Sequence, residues 1–260
     1  MDEPLHSSYQ MPALPHVTHI APLRPLHWLK LGWDDLRHQP GLSIAHGLLL
    51  VMIGWLILLF CSAQVDLLAA AVSAYVIVGP LFGAAFYELS RLRAAGNPAS
   101  FDASVAGAWR NGRRLASLGL VLAVLAIAWV GISGLLFRGA FGAVPPALDD
   151  VFYWRAFDRK YAGFFVTYLG TGAILALIAF AVSAVSAPML FDRPTGTRAA
   201  VLTSLKAVAV NPAAMAVWAA LIALLTAIGF ATFLFGLALV LPWLGHATWH
   251  AYRDLVAWPG

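Results

Sequence analysis

Two histidines four residues apart, His246 and His250, share one helical face near the end of the last apolar run of the chain. Such a pair presents two imidazoles to one metal ion. A helical zinc protease also needs a glutamate directly after the first histidine, and here Ala247 follows it. The nearest acid in the sequence is Asp254, and Trp243, Trp249, Tyr252 and Trp258 flank the pair. That pattern reads as an aromatic belt with polar tips at a membrane interface. The role expected of His246 and His250 is interfacial hydrogen bonding, with metal or haem ligation as the alternative. His46 enters the first apolar run a few residues past Pro40 and is expected to face headgroups in the same way.

Glu88 is the sole acid near the end of an apolar run, with Arg91 and Arg93 immediately after it. Acids at membrane depth are functional candidates, and one followed by arginines suits an ion pair at the interface. Glu88, Arg91, His246, His250 and Arg253 therefore form the candidate polar cluster. No catalytic constellation stands out: the chain carries no phosphate-binding glycine loop, no placeable Ser-His-Asp set and no nucleic-acid motif. Cys61 is the only cysteine, which excludes an internal disulfide and a cysteine metal cluster. No enzyme activity, metal or cofactor is expected. The absence of any charge in mid-run argues against a proton pump, an ion-coupled carrier and a voltage sensor.

The elements that must position these residues are membrane spans. Hydrophobic residues make up 61% of the 260 and charged residues 11%, against about 25% charged in a soluble domain. Leu42 to Phe60, Leu67 to Phe86 and Leu115 to Phe137 each approach or exceed the roughly 20 residues that cross a bilayer core. Gly163 to Phe191 is uncharged, as is the 32-residue run Ala213 to Leu244. As one helix the latter would reach about 48 Å, so it divides into two spans near Ala227 to Gly236. The fold expected is all-α: a polytopic six-helix transmembrane bundle with spans at about 42–61, 67–87, 115–137, 165–190, 213–229 and 234–251. A disordered tail over 1–26 precedes a membrane domain over 27–258, and an interfacial loop over 138–162 carries Phe152, Tyr153, Trp154, Phe157 and Tyr161. No apolar leader segment precedes the first span, so no cleaved signal is expected.

With six spans, 12 of the 16 Lys and Arg residues fall on the side of the termini, and Arg138, Arg155, Arg159 and Lys160 on the other. The positive-inside rule then places both termini in the cytoplasm of a bacterial inner-membrane protein. Three basic amphipathic corners lie on that side: Trp28 to Pro40, Ala108 to Arg114, and Ser204 to Pro212. In each, Trp or Leu dips into the interface, Lys or Arg reaches anionic headgroups, and Gln-Pro, Asn-Gly or Asn-Pro turns the chain inward. Each corner opens an elbow-plus-hairpin unit, giving three repeats. The second spans of units one and three align without gaps through Pro80 and Pro242, with Arg91 and Arg253 each eleven residues on; Pro188 serves the middle unit. A proline inside a span frees a carbonyl that lipid cannot satisfy. Ser183 and Ser186 are expected to cover the kink at Pro188 and Ser73 that at Pro80, with the three kinks meeting on one axis. Gly79-x-x-x-Gly83 fits a close helix contact.

The segments Gly32-Trp33-Asp34-Asp35-Leu36, Tyr87-Glu88-Leu89-Ser90-Arg91, Pro188-Met189-Leu190-Phe191-Asp192-Arg193, Ala199 to Val208 with Asn211-Pro212, and Leu241 to Leu255 resemble the bacterial integral-membrane family called domain of unknown function 2189. The resemblance covers about residues 28–257. It implies a bacterial membrane protein without an assigned activity; some members are labelled as cytochrome c oxidase subunits. A haem-copper catalytic subunit uses about six histidine ligands in some twelve spans, as that family implies, and three histidines near spans do not supply them. The leading expectation is a non-enzymatic interaction, assembly or membrane-organising factor, with a membrane-protein partner or a second copy and with anionic headgroups at the elbows. The alternatives are a channel or carrier for a small or lipidic solute framed by Pro80, Pro188 and Pro242, and an accessory redox subunit.

Overall fold

The computed structural model of the chain describes residues 15–142 and 159–258, and these are nearly all helical. The aromatic loop residues Phe152, Tyr153, Trp154 and Phe157 lie outside them. In chain order the helices are α1 (Arg24–His38), α2 (Pro40–Cys61), α3 (Val65–Phe82), α4 (Ala84–Ala94), α5 (Phe101–Arg110), α6 (Gly112–Phe141), α7 (Ala162–Ser183), α8 (Ser186–Asp192), α9 (Thr197–Val210), α10 (Pro212–Ala231) and α11 (Leu237–Leu255). Five stretches are long and apolar enough to cross a membrane: α2, α3 with α4, α6, the run from Arg159 to Asp192, and α10. Their outer surfaces are apolar. On α6, Leu120, Val124, Ile127 and Leu135 form an exposed stripe at helical spacing, the inverse of a soluble helix. α11 falls outside this group because its second half, Gly245 to Leu255, is rich in His, Arg, Asp and Thr.

The three elbows are α1, α5 and α9; α5 and α9 rest on the helices that directly precede them, and α1 rests on the last helix of the chain. α1 lies on α11, α5 on α4 and α9 on α8, while α4, α8 and α11 all touch one another. Where these three meet, Tyr87, Phe191 and Trp249 form a triangle with ring centroids 5.9, 6.2 and 6.4 Å apart. Met189 and Leu190 are fully buried beside them. The hub is solid.

Helix breaks adjoin Pro80 and Pro188, while α11 runs unbroken through Pro242, and the groups that cover the prolines are other than the serines expected. Between α7 and α8, the Ser204 hydroxyl of the α9 elbow accepts from the Val185 amide at 3.2 Å and donates to the Ala181 carbonyl at 2.7 Å. It is inserted into the helical ladder, which parts around it. Ser183 and Ser186 instead bond back to Ala179 and Val182 within their own turn. At the α3–α4 break the Tyr87 hydroxyl donates to the Pro80 carbonyl at 3.3 Å, and Ser73 bonds back to Ala69. Pro242 frees the Ala238 carbonyl, and α2 comes against it at Gly47, where an added Cβ would stand 2.1 Å from that oxygen. Close helix contact thus falls on Gly47, while a Cβ at Gly79 would meet open space.

The expectation of a disordered tail to residue 26 is corrected from residue 15 onward. His16–Val17 pairs antiparallel with Val256–Ala257, and Val17 is buried. The Thr18 amide donates to the Leu255 carbonyl, and Asn211 accepts from the Ile20 amide and donates to the Thr18 carbonyl. Main-chain pairing and the amide of a helix corner supply the order that composition alone does not reveal.

Candidate functional site

The buried face of α1 carries Trp28, Leu29, Gly32, Asp35 and Leu36, a stripe at helical spacing. Its close seat on α11 depends on Gly32, where an added Cβ would stand 2.6 Å from the Ala247 amide nitrogen. Trp28, expected to dip into the interface, is instead buried, edge-on to Trp218, with its indole N–H donating to Asp254 at 2.8 Å. Seven residues on, the same stripe aims Asp35 into the junction of α1, α4 and α11.

Asp35 gathers four groups. Its Oδ1 accepts from Arg93 Nη1 at 2.6 Å, and its Oδ2 accepts from Ser90 at 2.5 Å and from His250 Nε2 at 2.8 Å. His246 reaches it through Ser90, with Nδ1 2.8 Å from the Ser90 oxygen, and its Nε2 lies 3.0 Å from the Ser43 hydroxyl. One proton arrangement satisfies every member. Ser90 donates to the carboxylate, His246 Nδ1–H donates to Ser90, and Ser43 donates to His246 Nε2. His246 is then neutral, as suits a ring only 1% exposed. Burial pushes the Asp35 carboxyl up, and the hydrogen bonds from His250 and Ser90 outweigh it. The net result is a carboxyl held below its ordinary value.

His46 forms a second, smaller group. Its Nδ1–H donates to the Leu42 carbonyl at 2.9 Å, and its Nε2 lies 3.1 Å from the Ser104 hydroxyl, which also has the Phe101 carbonyl as an acceptor at 2.6 Å. The ring stacks on Phe101 at 4.4 Å, and Phe86 stands edge-on between His46 and His246. The expected headgroup-facing position of His46 is therefore corrected: it is a buried, partnered histidine. The same holds for the surroundings of the His246–His250 pair. Trp249 and Tyr252 are core residues, and the acid that joins the pair is Asp35 rather than Asp254.

The candidate cluster divides in three. Glu88, 2% exposed, takes Arg91 through two hydrogen bonds of 2.7 and 2.6 Å and Arg110 through one of 3.2 Å. It fills the room left by Gly107 of α5, where a Cβ would stand 2.5 Å from its carboxyl carbon. Arg253 lies 3.8 Å from Asp192, which also accepts from the Tyr252 hydroxyl at 2.8 Å. His246 and His250 share one network, and its other members, Asp35, Ser90, Arg93 and Ser43, are not among the candidate site residues of the sequence. Their signal was position: Asp35 lies on the apolar stripe of α1.

Chemically the arrangement is a satisfied clamp. Ser43 is fully buried, and both ring nitrogens of His246 are engaged, which weighs against ligation of a metal or haem there. Among the described residues no group of three or more His, Cys, Asp or Glu is disposed to hold a metal ion. Against known families, residues 67–192 match the family model described as a predicted integral membrane protein (DUF2189). No curated protein and no solved structure matches the chain.

Proposed function

We propose that this integral membrane protein of the DUF2189 family is a non-enzymatic scaffold of the bacterial inner membrane that presents its elbow face to a membrane-protein partner. One observation carries the reading: the three span ends α4, α8 and α11 each bear another segment's elbow and close around the packed triangle Tyr87, Phe191 and Trp249. A hub of that kind supports a rigid platform and weighs against a solute path framed by the prolines. In this reading α11 is the sixth span, and the chain is three elbow-and-hairpin units in a ring. The corners support it: Asn111 and Asn211 each donate to the carbonyl four residues earlier, Gly107 and Ala207. The excess of basic residues on the elbow side supports a cytoplasmic location for both termini.

The surface itself suits recognition. Trp109 is 80% exposed at the end of α5 with Arg110 and Arg113 beside it, and Trp and Arg are the residues that anchor interfaces most often. Extraction in mild detergent followed by affinity purification is expected to recover a stoichiometric partner or a second copy. A clean monomer from every extract overturns the reading. An absorption spectrum of the same material tests the redox-subunit alternative, which a haem band would revive.

A further inference from the structure

We propose that the cleft between the starts of α6 and α9 is a binding site for a phosphate-bearing anion, filled in the membrane by the headgroup of an anionic phospholipid. The cleft encloses about 550 Å³ and is lined by Trp109, Arg110, Arg113, Arg114, Ser117 and the segment Thr195 to Thr197. Its charge is unbalanced. Arg110 shares Glu88 with Arg91, and Arg114 spends one nitrogen on the Asn111 side-chain carbonyl. Neither Arg113 nor Arg114 has an acidic partner among the described residues, so two guanidinium groups face the cleft uncompensated. Guanidinium forks match phosphate oxygens in pairs.

The floor adds to this. The Thr197 and Ser117 hydroxyls hydrogen-bond each other, and Ser117 donates onward to the Arg114 carbonyl at 2.6 Å, fixing the α9 start against α6. Both helices begin there without a side-chain cap, α6 at Gly112 and α9 at Thr197, so the free first amides of two helices reinforce the arginines. The location selects the lipid source. α6 is one of the helices long and apolar enough to span, so its start lies at a membrane surface, and exposed Leu120 follows the cleft on the lipid-facing stripe. Trp109 at the rim has the amphipathic ring that favours the headgroup layer.

This site deepens the scaffold reading by naming what the elbow face holds, and it is tested on purified protein alone, so failure to recover a partner leaves its result intact. The probes are soluble short-chain phosphatidylglycerol, its phosphatidylcholine counterpart and inorganic phosphate, titrated against full-length protein in neutral detergent. Saturable binding of phosphatidylglycerol over phosphatidylcholine is expected. Arg113→Gln should weaken it about five-fold, as suits loss of one basic side chain near a surface, while Arg138→Gln at the far end of α6 leaves it unchanged.

Gly196→Asp separates binding from folding. A Cβ at Gly196 meets open space, and an aspartate there caps α9, so thermal stability should hold or rise while the new carboxylate abolishes binding. Saturable binding of inorganic phosphate with the same variant pattern, and none of the lipid, supports the phosphate site with a free anion as its source. No saturable binding of either probe, or equal loss in Arg113→Gln and Arg138→Gln, overturns the proposal.

Discussion

Two joints of the molecule do the same mechanical task with opposite chemistry. Where α1 meets α11, the carboxylate sits on the elbow, as Asp35, and reaches a histidine on α11, His250. Where α5 meets α4, the carboxylate sits on the span, as Glu88, and the elbow answers with the empty space of Gly107. The two places correspond: Asp35 and Gly107 each precede their helix corner, Gln39 and Asn111, by four residues, and Glu88 and His250 follow Pro80 and Pro242 by eight. The difference lies in what surrounds the charge. Asp35 is enclosed by Arg93, Ser90, His250 and, through Ser90, His246. Glu88 is itself buried, and its arginine partners are 38% and 59% exposed, against 34% for Arg93 and 23% for His250. The first joint is a closed network and the second an ion pair laid over a packing contact, so they should fail differently.

The sharpest way to break the comparison is Asp35→Ala. Removing the carboxylate leaves Arg93, His250 and Ser90 without their acceptor in a buried junction, and losing one partner of such a pair costs about 3–5 kcal/mol. Denaturant unfolding in detergent should register that loss, and limited proteolysis should find α1 released from α11. A change under about 1 kcal/mol would mean the network does not hold the elbow. Next in size is Gly107→Val at the other joint. Its Cβ would stand 2.5 Å from the Glu88 carboxyl carbon, and overpacking of this kind costs about 1–3 kcal/mol. Because the fault is steric, Glu88→Ala in the same chain should restore most of the loss. A double variant worse than either single one would show that charge, and not space, governs this joint.

The two joints also differ in how far they could be read in advance. The spans, their hairpins and the proline correspondence are local or periodic features, and the equivalence of Glu88 and His250 came from that alignment. Asp35 stayed hidden because its partners Ser90 and His250 lie 55 and 215 residues away, and nothing local marks such a meeting. In a chain so apolar, Asp34-Asp35 resembles the polar punctuation of a corner. The trace it left is the seven-residue step from Trp28 through Gly32, which places Asp35 on the face an amphipathic helix buries. His246, His250 and His46 were read as interface residues for the same reason: the rule for polar tips near span ends assumes lipid outside, and here an elbow covers them. The break before Pro188 was legible, but its hydroxyl comes from Ser204, on the next elbow.

Acid should weaken the α1–α11 joint through Asp35. Its folded-state carboxyl is held below the ordinary value, which is about 3.9 for an unfolded aspartate. The stabilisation is therefore complete above that value and is lost as pH falls through the lower folded one. Melting temperatures measured from pH 6 downward should drop more steeply for the native chain than for Asp35→Asn, which has no carboxylate to protonate. Parallel profiles would remove Asp35 from the acid response.

The smallest effect is expected from Glu88→Gln, and it sharpens the comparison most finely. Glutamine keeps the shape that fills the space over Gly107 and gives up only the charge. Arg91 and Arg110, with side chains 38% and 59% exposed, then return to water instead of being stranded. Because the cations of this pair reach water, the loss in unfolding free energy should stay near the surface-pair range of up to about 1 kcal/mol. It should also shrink in high salt, where exposed charges are screened. The asymmetry with Asp35 has a physical cause: the cost of deleting a charge depends on whether its partners can reach solvent, and Arg93, His250 and Ser90 cannot all do so. If Glu88→Gln loses as much as Asp35→Ala and salt does not change it, the Glu88 joint is a closed network as well, and the contrast between the two joints fails.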